Sequence, residues 1–220
     1  MSLAGVPALA SWSGGKDSCL ALWRAVRAGV KPVALLTMLD EGGERSRSHG
    51  VRPEVLALQA EALGLPQRLG RASWSGYREV FVAQLRAAAA DGCQAAVFGD
   101  IDLDAHREWE EQVCAEAGLQ AILPLWQEAR AELAREFVAA GFVARIVMVN
   151  TKLIDEKWLG RVFDAALIDE MLAEGVDPCG EAGEFHTLVV DGPLFNKPLS
   201  LRDGDVAKLG EYRALDLLPA

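Results

Sequence analysis

The feature that most limits the fold of this chain is the regular exchange of two periodicities along its first 125 residues. Short apolar runs of strand length alternate with segments whose apolar residues recur every three to four positions, as on one face of a helix. Residues 6–12 form such a run, and Cys19, Leu22, Trp23 and Val26 follow at helical spacing. Lys31-Pro32 opens a second run over 33–39. Pro53 then sits where a first helical turn tolerates proline, with Leu56, Ala60 and Leu63 on one face and Gly64 as the stop. A short third strand is expected around 67–69. Tyr77, Phe81, Leu85 and Ala88 mark a helix ending at Asp91-Gly92, and 95–98 reads as a fourth strand. Asp104 is the expected N-cap of a helix carrying Trp109, Val113 and Ala117, which Gly118 closes before a strand at 120–123.

Strands that alternate with helices make an α/β fold, a parallel five-stranded doubly wound sheet buried between helices. Such sheets bind ligands beyond the carboxyl ends of their strands, near a switch in strand order. The loops to inspect therefore follow Trp12, Leu39, Leu69 and Phe98. After Pro124 the rhythm changes to a helix near 128–140, a strand at 144–149, a helix near 163–173, a strand at 187–190 and a Gly/Pro-rich tail. The expected organisation is a nucleotide-binding domain over 1–125 and a smaller C-terminal α+β domain over 126–220 that serves substrate and acceptor.

Composition excludes several classes. A formal net charge of −10 over 220 residues argues against affinity built on nucleic-acid phosphates, so nucleic acid is not an expected partner. No stretch reaches the roughly 18 apolar residues that span a membrane, and no basic start precedes the short apolar run after Met1. A cytoplasmic protein without a membrane partner is expected. Cys19, Cys93, Cys114 and Cys179 stand far apart and read as reduced thiols, and His49, His106 and His186 form no zinc-like grouping. Met148, Met171 and the tryptophans read as core residues.

The loop after the first strand carries the chemistry. Ser13-Gly14-Gly15-Lys16-Asp17-Ser18 joins a buried strand to a helix, so backbone N–H groups and the positive helix end can converge on an anion. Gly14 and Gly15 allow close backbone approach, the hydroxyls of Ser13 and Ser18 add donors, and Lys16 adds a charge. Asp17 could hold Mg²⁺ against phosphate oxygens. The pattern differs from GxxxxGK[ST], which cradles the β- and γ-phosphates for transfer of the terminal phosphoryl. It resembles instead the SGGxDS loop of the PP-loop ATP pyrophosphatases, which cleave ATP between the α- and β-phosphates and adenylate their substrate.

Further blocks are similar to one PP-loop family, that of diphthine–ammonia ligase and its bacterial relatives. Gly99-Asp100-Ile101, Arg107, Val113-Cys114 and Pro124-Leu125-Trp126 resemble its second block, and Trp158-Leu159-Gly160-Arg161 its third. The segment from Asp177 to Thr187, with Asp191-Gly192-Pro193-Leu194-Phe195, is similar to its DPCGExGEY/F-x-T…DGPLF ending. The resemblance implies a HUP-like nucleotide-binding domain. It also implies an ATP-dependent ligase in which a carboxylate attacks the α-phosphate, pyrophosphate leaves, and ammonia displaces AMP from the acyl-adenylate. ATP with Mg²⁺ and an unidentified carboxylate, on a small molecule or a protein, are then the partners, and a homodimer is compatible with this reading. The ligase branch carries two basic residues in the helix after GDI, where this chain has Arg107 but Trp109. The insert 42–50 and the ending Glu184-Phe185-His186-Thr187 look more like the bacterial relatives.

These blocks supply the candidate site. Ser13, Gly14, Gly15, Lys16, Asp17, Ser18, Gly99 and Asp100 would bind nucleotide, with Asp17 and Asp100 as Mg²⁺ ligands. Lys16, Asp17, Asp100, Arg107, Glu184 and His186 would carry catalysis. Asp100 could equally cap the next helix, and Arg107 could equally pair with Glu111, four residues on. Arg45, Arg47 and His49 form a basic cluster after the second strand, and with Glu181 they are the candidate substrate contacts. Cys179 reads as structural, since no histidine partner lies in a recognisable arrangement. Two other functions compete: a PP-loop enzyme that modifies tRNA, whose thiolating members usually carry cysteine pairs and a basic surface, and a nucleotide-binding regulatory module resembling the universal stress proteins, which lack this loop.

Overall fold

The computed structural model describes residues 3–220; Met1 and Ser2, at the head of the stretch read for a leader, lie outside the described residues. In chain order the first elements are β1 (Pro7–Ser11), α1 (Lys16–Arg27), β2 (Lys31–Leu39), α2 (Pro53–Leu63), β3 (Gln67–Arg71), α3 (Tyr77–Ala90), β4 (Ala95–Val97), α4 (Asp104–Glu116) and β5 (Gln120–Ile122). They continue as α5 (Arg130–Ala139), β6 (Val143–Asn150), a 3-10 turn (Glu156–Trp158), α6 (Ala165–Ala173), β7 (Phe185–Asp191), β8 (Leu201–Leu209) and β9 (Tyr212–Pro219). The chain forms two compact units, and neither is one continuous stretch. The first comprises Met1–Ser13, Asp17–Arg47 and Gly64–Gln127; the second comprises Gly14–Lys16, Ser48–Leu63 and Glu128–Ala220.

The first unit holds five parallel strands in the order β3-β2-β1-β4-β5. The chain moves outward from β1 to β3 on one side, then returns to the other side of β1 for β4 and β5. The switch point of this doubly wound sheet therefore falls between β1 and β4, where the loops after both strands leave its carboxyl edge. Strand burial explains the continuous apolar runs: Leu9, Leu35, Leu36, Ala96 and Val97 are almost wholly inaccessible. On one face Leu9, Leu36, Phe81, Leu85, Phe98 and Val113 join β1, β2, α3 and α4 in one core.

The second unit is built on a four-stranded antiparallel sheet, β7-β6-β9-β8. Phe137 stacks on Phe142 at a 5.0 Å centroid distance and meets Phe163 edge-on at 6.0 Å, so α5 and the approach to α6 are sewn to the sheet by aromatic contact. Trp158, wholly buried, donates its indole N–H to Glu170 of α6 at 2.9 Å, and Arg161 reaches the same carboxylate at 2.6 Å. The conspicuous WLGR run thus ties the 3-10 turn to α6. Helix α2 belongs to this unit: Arg52, just before it, forms a two-pronged ion pair with Asp216 of β9, at 2.6 Å and 2.9 Å.

Three local expectations change. The Gly/Pro-rich tail contains the β8–β9 hairpin; β8, at the edge of the sheet beside β9, is largely exposed, so its sequence lacks the apolar alternation that betrays a half-buried strand. Leu103, not Asp104, is the N-cap of α4, and Asp104 is the first helical residue, where its charge still faces the positive helix end. Among the tryptophans Trp12 and Trp158 are core, whereas Trp74 is 78% exposed. The Arg47 guanidinium lies over its ring at 4.3 Å, a cation–π contact. No helix among the described residues is long and apolar enough to cross a membrane.

Candidate active site

In the first unit β1 ends at Ser11 and the chain turns before α1. Ser13 and Ser18, five residues apart, bring their hydroxyl oxygens to 3.1 Å. The loop after β4 comes close: a Cβ on Gly99 would lie 2.8 Å from the Asp17 carbonyl carbon and 2.8 Å from the Ser18 amide nitrogen. Only glycine fits there, and the two loops at the switch point therefore touch backbone to backbone, which puts Asp100 next in chain to a residue packed on Asp17 and Ser18.

Asp100 accepts a hydrogen bond from His106 Nδ1 at 2.8 Å across the first turn of α4. One turn on, Glu110 is buried, with Oε2 lacking any hydrogen-bond partner. Burial first, then its hydrogen bond and charge repulsion with Asp100, push the Glu110 carboxyl up to about 11, so it is protonated at neutral pH. Arg107 points outward, donates to Glu111 at 2.7 Å and covers the Trp126 ring at 5.2 Å. Arg47 donates Nε to the Ala72 carbonyl at 3.1 Å as well as covering Trp74. Arg45 and Arg47 stay with this unit while His49 groups with the other. Among the described residues no three His, Cys, Asp or Glu side chains gather as a metal cluster.

In the second unit the centre of the loop is bound from several sides. Gly14 is left-handed at φ 83°, and a Cβ there would fall 2.7 Å from Gln59 Oε1. Gln59, completely buried in α2, donates Nε2 to the Gly14 carbonyl at 3.0 Å and to the Val189 carbonyl at 2.7 Å. Lys16 donates its amide to Thr187 Oγ1 at 3.0 Å, and its ammonium, buried, donates to the Cys179 carbonyl and lies 5.6 Å from the centre of the Phe185 ring. His49 Nδ1 is 2.8 Å from the Thr187 carbonyl, and the His186 ring lies 4.6 Å from that of His49. His49, His186 and Lys16 thus share one cluster, joined through Thr187.

Asp177 shapes the glycine-rich segment before β7. Its carboxylate accepts the amides of Cys179 at 2.9 Å and Glu181 at 3.1 Å, and Arg130 closes on it at 2.6 Å. Glu184 accepts the Ala182 amide at 3.0 Å and through its own carbonyl takes the Asn150 amide at 2.8 Å. Glu181 and Glu184 are accordingly set by local turns. Cys179 Sγ is 3.2 Å from the Arg130 carbonyl and the side chain is buried, in line with a structural thiol.

Sequence reasoning passed over Gln59, Thr187, Asp177 and Glu110 as individual actors. Gln59 carried a signal, a lone amide on the apolar face of α2 beside Leu56 and Ala60. Glu110 carried none, because a glutamate in an acidic helix reads as solvated surface.

A five-stranded parallel sheet in the order β3-β2-β1-β4-β5, with Ser13 and Ser18 in contact beyond β1 and Gly99 packed on Ser18 beyond β4, defines an α/β protein of the doubly wound class. Residues 7–121 match the model of the diphthamide synthase N-terminal domain and residues 129–212 that of the diphthamide synthase C-terminal domain. The chain belongs to the diphthamide synthase family and is an enzyme of that family's ligase type. Its curated relatives include the diphthine–ammonia ligase of Homo sapiens, 30% identical over 88% of this chain and 82% of that protein. The diphthine–ammonia ligase of Schizosaccharomyces pombe is also 30% identical over 89% of this chain, which spans 36% of the longer yeast protein. Among solved structures, the predicted subunit of a tRNA methyltransferase from Methanocaldococcus jannaschii superposes with a TM-score of 0.46 at 18% identity, over 86% of this chain and 98% of the other.

Proposed function

We propose that this enzyme uses ATP to adenylate a carboxylate and then transfers the acyl group to ammonia; the name of its diphthine–ammonia ligase relatives supports a ligase that takes ammonia. The observation that carries the reading is the loop from Ser13 to Ser18: Gly14 turns through a left-handed conformation and Gly99 packs without a side chain against Asp17 and Ser18. A glycine turn that opens a helix at the switch point suits a polyphosphate. Ser13, Gly14, Gly15, Lys16 and Ser18 hold the phosphates in this reading, and Gly99 and Asp100 border them. Asp17 and Asp100 provide hard oxygen ligands of the kind Mg²⁺ takes alongside phosphate oxygens. The metal would offset charge on the phosphates.

The chemistry balances in two displacements. A carboxylate oxygen of the acceptor bonds to the α-phosphorus as the bond to the bridging β-phosphate oxygen breaks, and pyrophosphate leaves. The nitrogen of ammonia then bonds to the acyl carbon, AMP leaves with the oxygen, and one proton is lost from nitrogen. Lys16 and Arg107 act on negative charge, while Glu184 and His186 attend the acceptor, whose contacts we assign to Arg45, Arg47, His49 and Glu181. Cys19, Cys93, Cys114 and Cys179 are buried thiols, and we place the enzyme in the cytoplasm.

The test is the product pair. Incubated with ATP, ammonium and candidate acids, the enzyme should release AMP and pyrophosphate in equal amounts, and only with the true acid. ADP and orthophosphate formed in proportion to enzyme would move the chain to a kinase or simple ATPase and end this proposal.

A further inference from the structure

The second unit gathers ionisable groups against the centre of the loop, and their arrangement carries a consequence for ligand binding. His49 lies directly on the loop backbone: a Cβ on Gly15 would sit 2.2 Å from His49 Cε1 and 2.9 Å from Nδ1. With a carbonyl acceptor 2.8 Å away, Nδ1 carries the hydrogen of the neutral ring, which leaves the lone pair on Nε2. His186 stands beside it at a 4.6 Å centroid distance, tilted 36°. Lys16 faces the pair from the start of α1, Thr187 and Phe185 from β7, and Met148 from β6, where it is the register partner of His186. From α2, Gln59 spends its amide on the Gly14 and Val189 carbonyls. Of these neighbours Lys16 is the ionised one.

Both rings are therefore held neutral. Burial, and then Lys16 acting against the Thr187 bond, bring His49 down to about 4; burial, His49 and Lys16 bring His186 down to about 3. An anion would act against these causes, because opposite charge within about 4–6 Å favours the protonated ring and the same ligand would neutralise Lys16.

We propose that His49 and His186, besides facing the acceptor, form a paired imidazole subsite for the phosphate chain of the nucleotide, and that binding of the polyanion brings one proton from solvent onto this pair. The proton goes to an imidazole nitrogen lone pair, Nε2 in the case of His49, which becomes a charge-assisted donor to a phosphate oxygen while Nδ1–H keeps its bond to Thr187. Nucleotide affinity is thereby tied to pH. This inference rests on the loop being the nucleotide site.

Calorimetric titration of ATP into the full chain at pH 6.5 and fixed Mg²⁺, without acid substrate, tests it in two buffers of different ionisation enthalpy. The parent should take up about half a proton or more per nucleotide beyond the correction for ATP itself, and its affinity should rise roughly threefold to tenfold for each pH unit lowered between 7.5 and 5.5. The double variant His49→Gln/His186→Gln should bind ATP without the extra uptake. In the parent, the imidazole Cε1–H resonances should move toward imidazolium positions on adding ATP, a readout that does not depend on the variant folding. Binding with no net uptake and unmoved imidazole signals, or full uptake retained by the double variant, overturns the paired subsite and leaves the nucleotide loop standing. Absence of any ATP binding by the parent would instead remove the loop reading, and this inference with it.

Discussion

Glycine tolerances make the sharpest statements about individual positions. Gly99→Ala would force a methyl group to 2.8 Å from the backbone of Asp17 and Ser18, atoms that cannot swing aside as a side chain can. We expect it to cost about 1–3 kcal/mol of stability, within the range for overpacking, and to weaken ATP binding, read by thermal melts beside calorimetry. The neutral imidazoles set a second expectation. Their folded-state values, about 4 and about 3, lie below the ordinary histidine value near 6.5, so the unfolded chain binds more protons between those limits. Stability from these rings is complete above about pH 6.5 and falls as acid is added toward pH 4 and below, by at most about 1.4 kcal/mol per ring per pH unit. Urea melts at pH 7.5, 6 and 5 should show that decline, and it should shrink in the His49→Gln/His186→Gln variant. The sequence made Gly14, Gly15 and Lys16 legible because close approach and charge are written in residue type. It could not show that His49, 34 positions beyond Gly15, rests against that glycine, since the contact depends on long-range folding.

Among the elements, legibility followed burial. β1, β2 and β4 announce themselves because they are buried over most of their length, and the helices because each buries one face; the edge strands β3 and β5 are partly accessible and are marked instead by the turn residues that bound them. The β8–β9 hairpin stayed hidden because β8 offers little apolar area to the unit and is held mostly by backbone pairing to β9. The segment before β7 is different again, being ordered by one carboxylate rather than by a core. Asp177→Ala would remove the acceptor of the Cys179 and Glu181 amides and one ion pair of Arg130. A loss of about 1–3 kcal/mol is expected, together with faster proteolytic nicking between 178 and 184. Asp177→Asn, which keeps an acceptor oxygen, should recover part of it. Unchanged melting and nicking would show that the segment is held by its glycines and by Phe185 alone.

For the whole chain, the proposed reaction predicts that binding and turnover separate. Lys16→Ala should weaken ATP binding, because it removes a cation from the loop. Glu184→Ala should leave ATP affinity nearly unchanged and lower acid-dependent AMP formation by tenfold or more, on the order expected when positioning is lost. A Glu184→Ala enzyme with full specific activity and a lower melting temperature would assign that residue to packing only.

The interleaving of the two units has a practical corollary for anyone who cuts the chain. The second unit draws on Gly14–Lys16 and Ser48–Leu63 as well as on everything after Gln127. A fragment of residues 128–220 would lack Gln59, which ties α2 to the Val189 carbonyl, and Arg52, the partner of Asp216. It should remain unfolded when expressed alone, with a collapsed amide spectrum. Mixed with residues 1–127 it should recover dispersed signals, so that the enzyme behaves as a complementing pair of halves rather than as two separable modules.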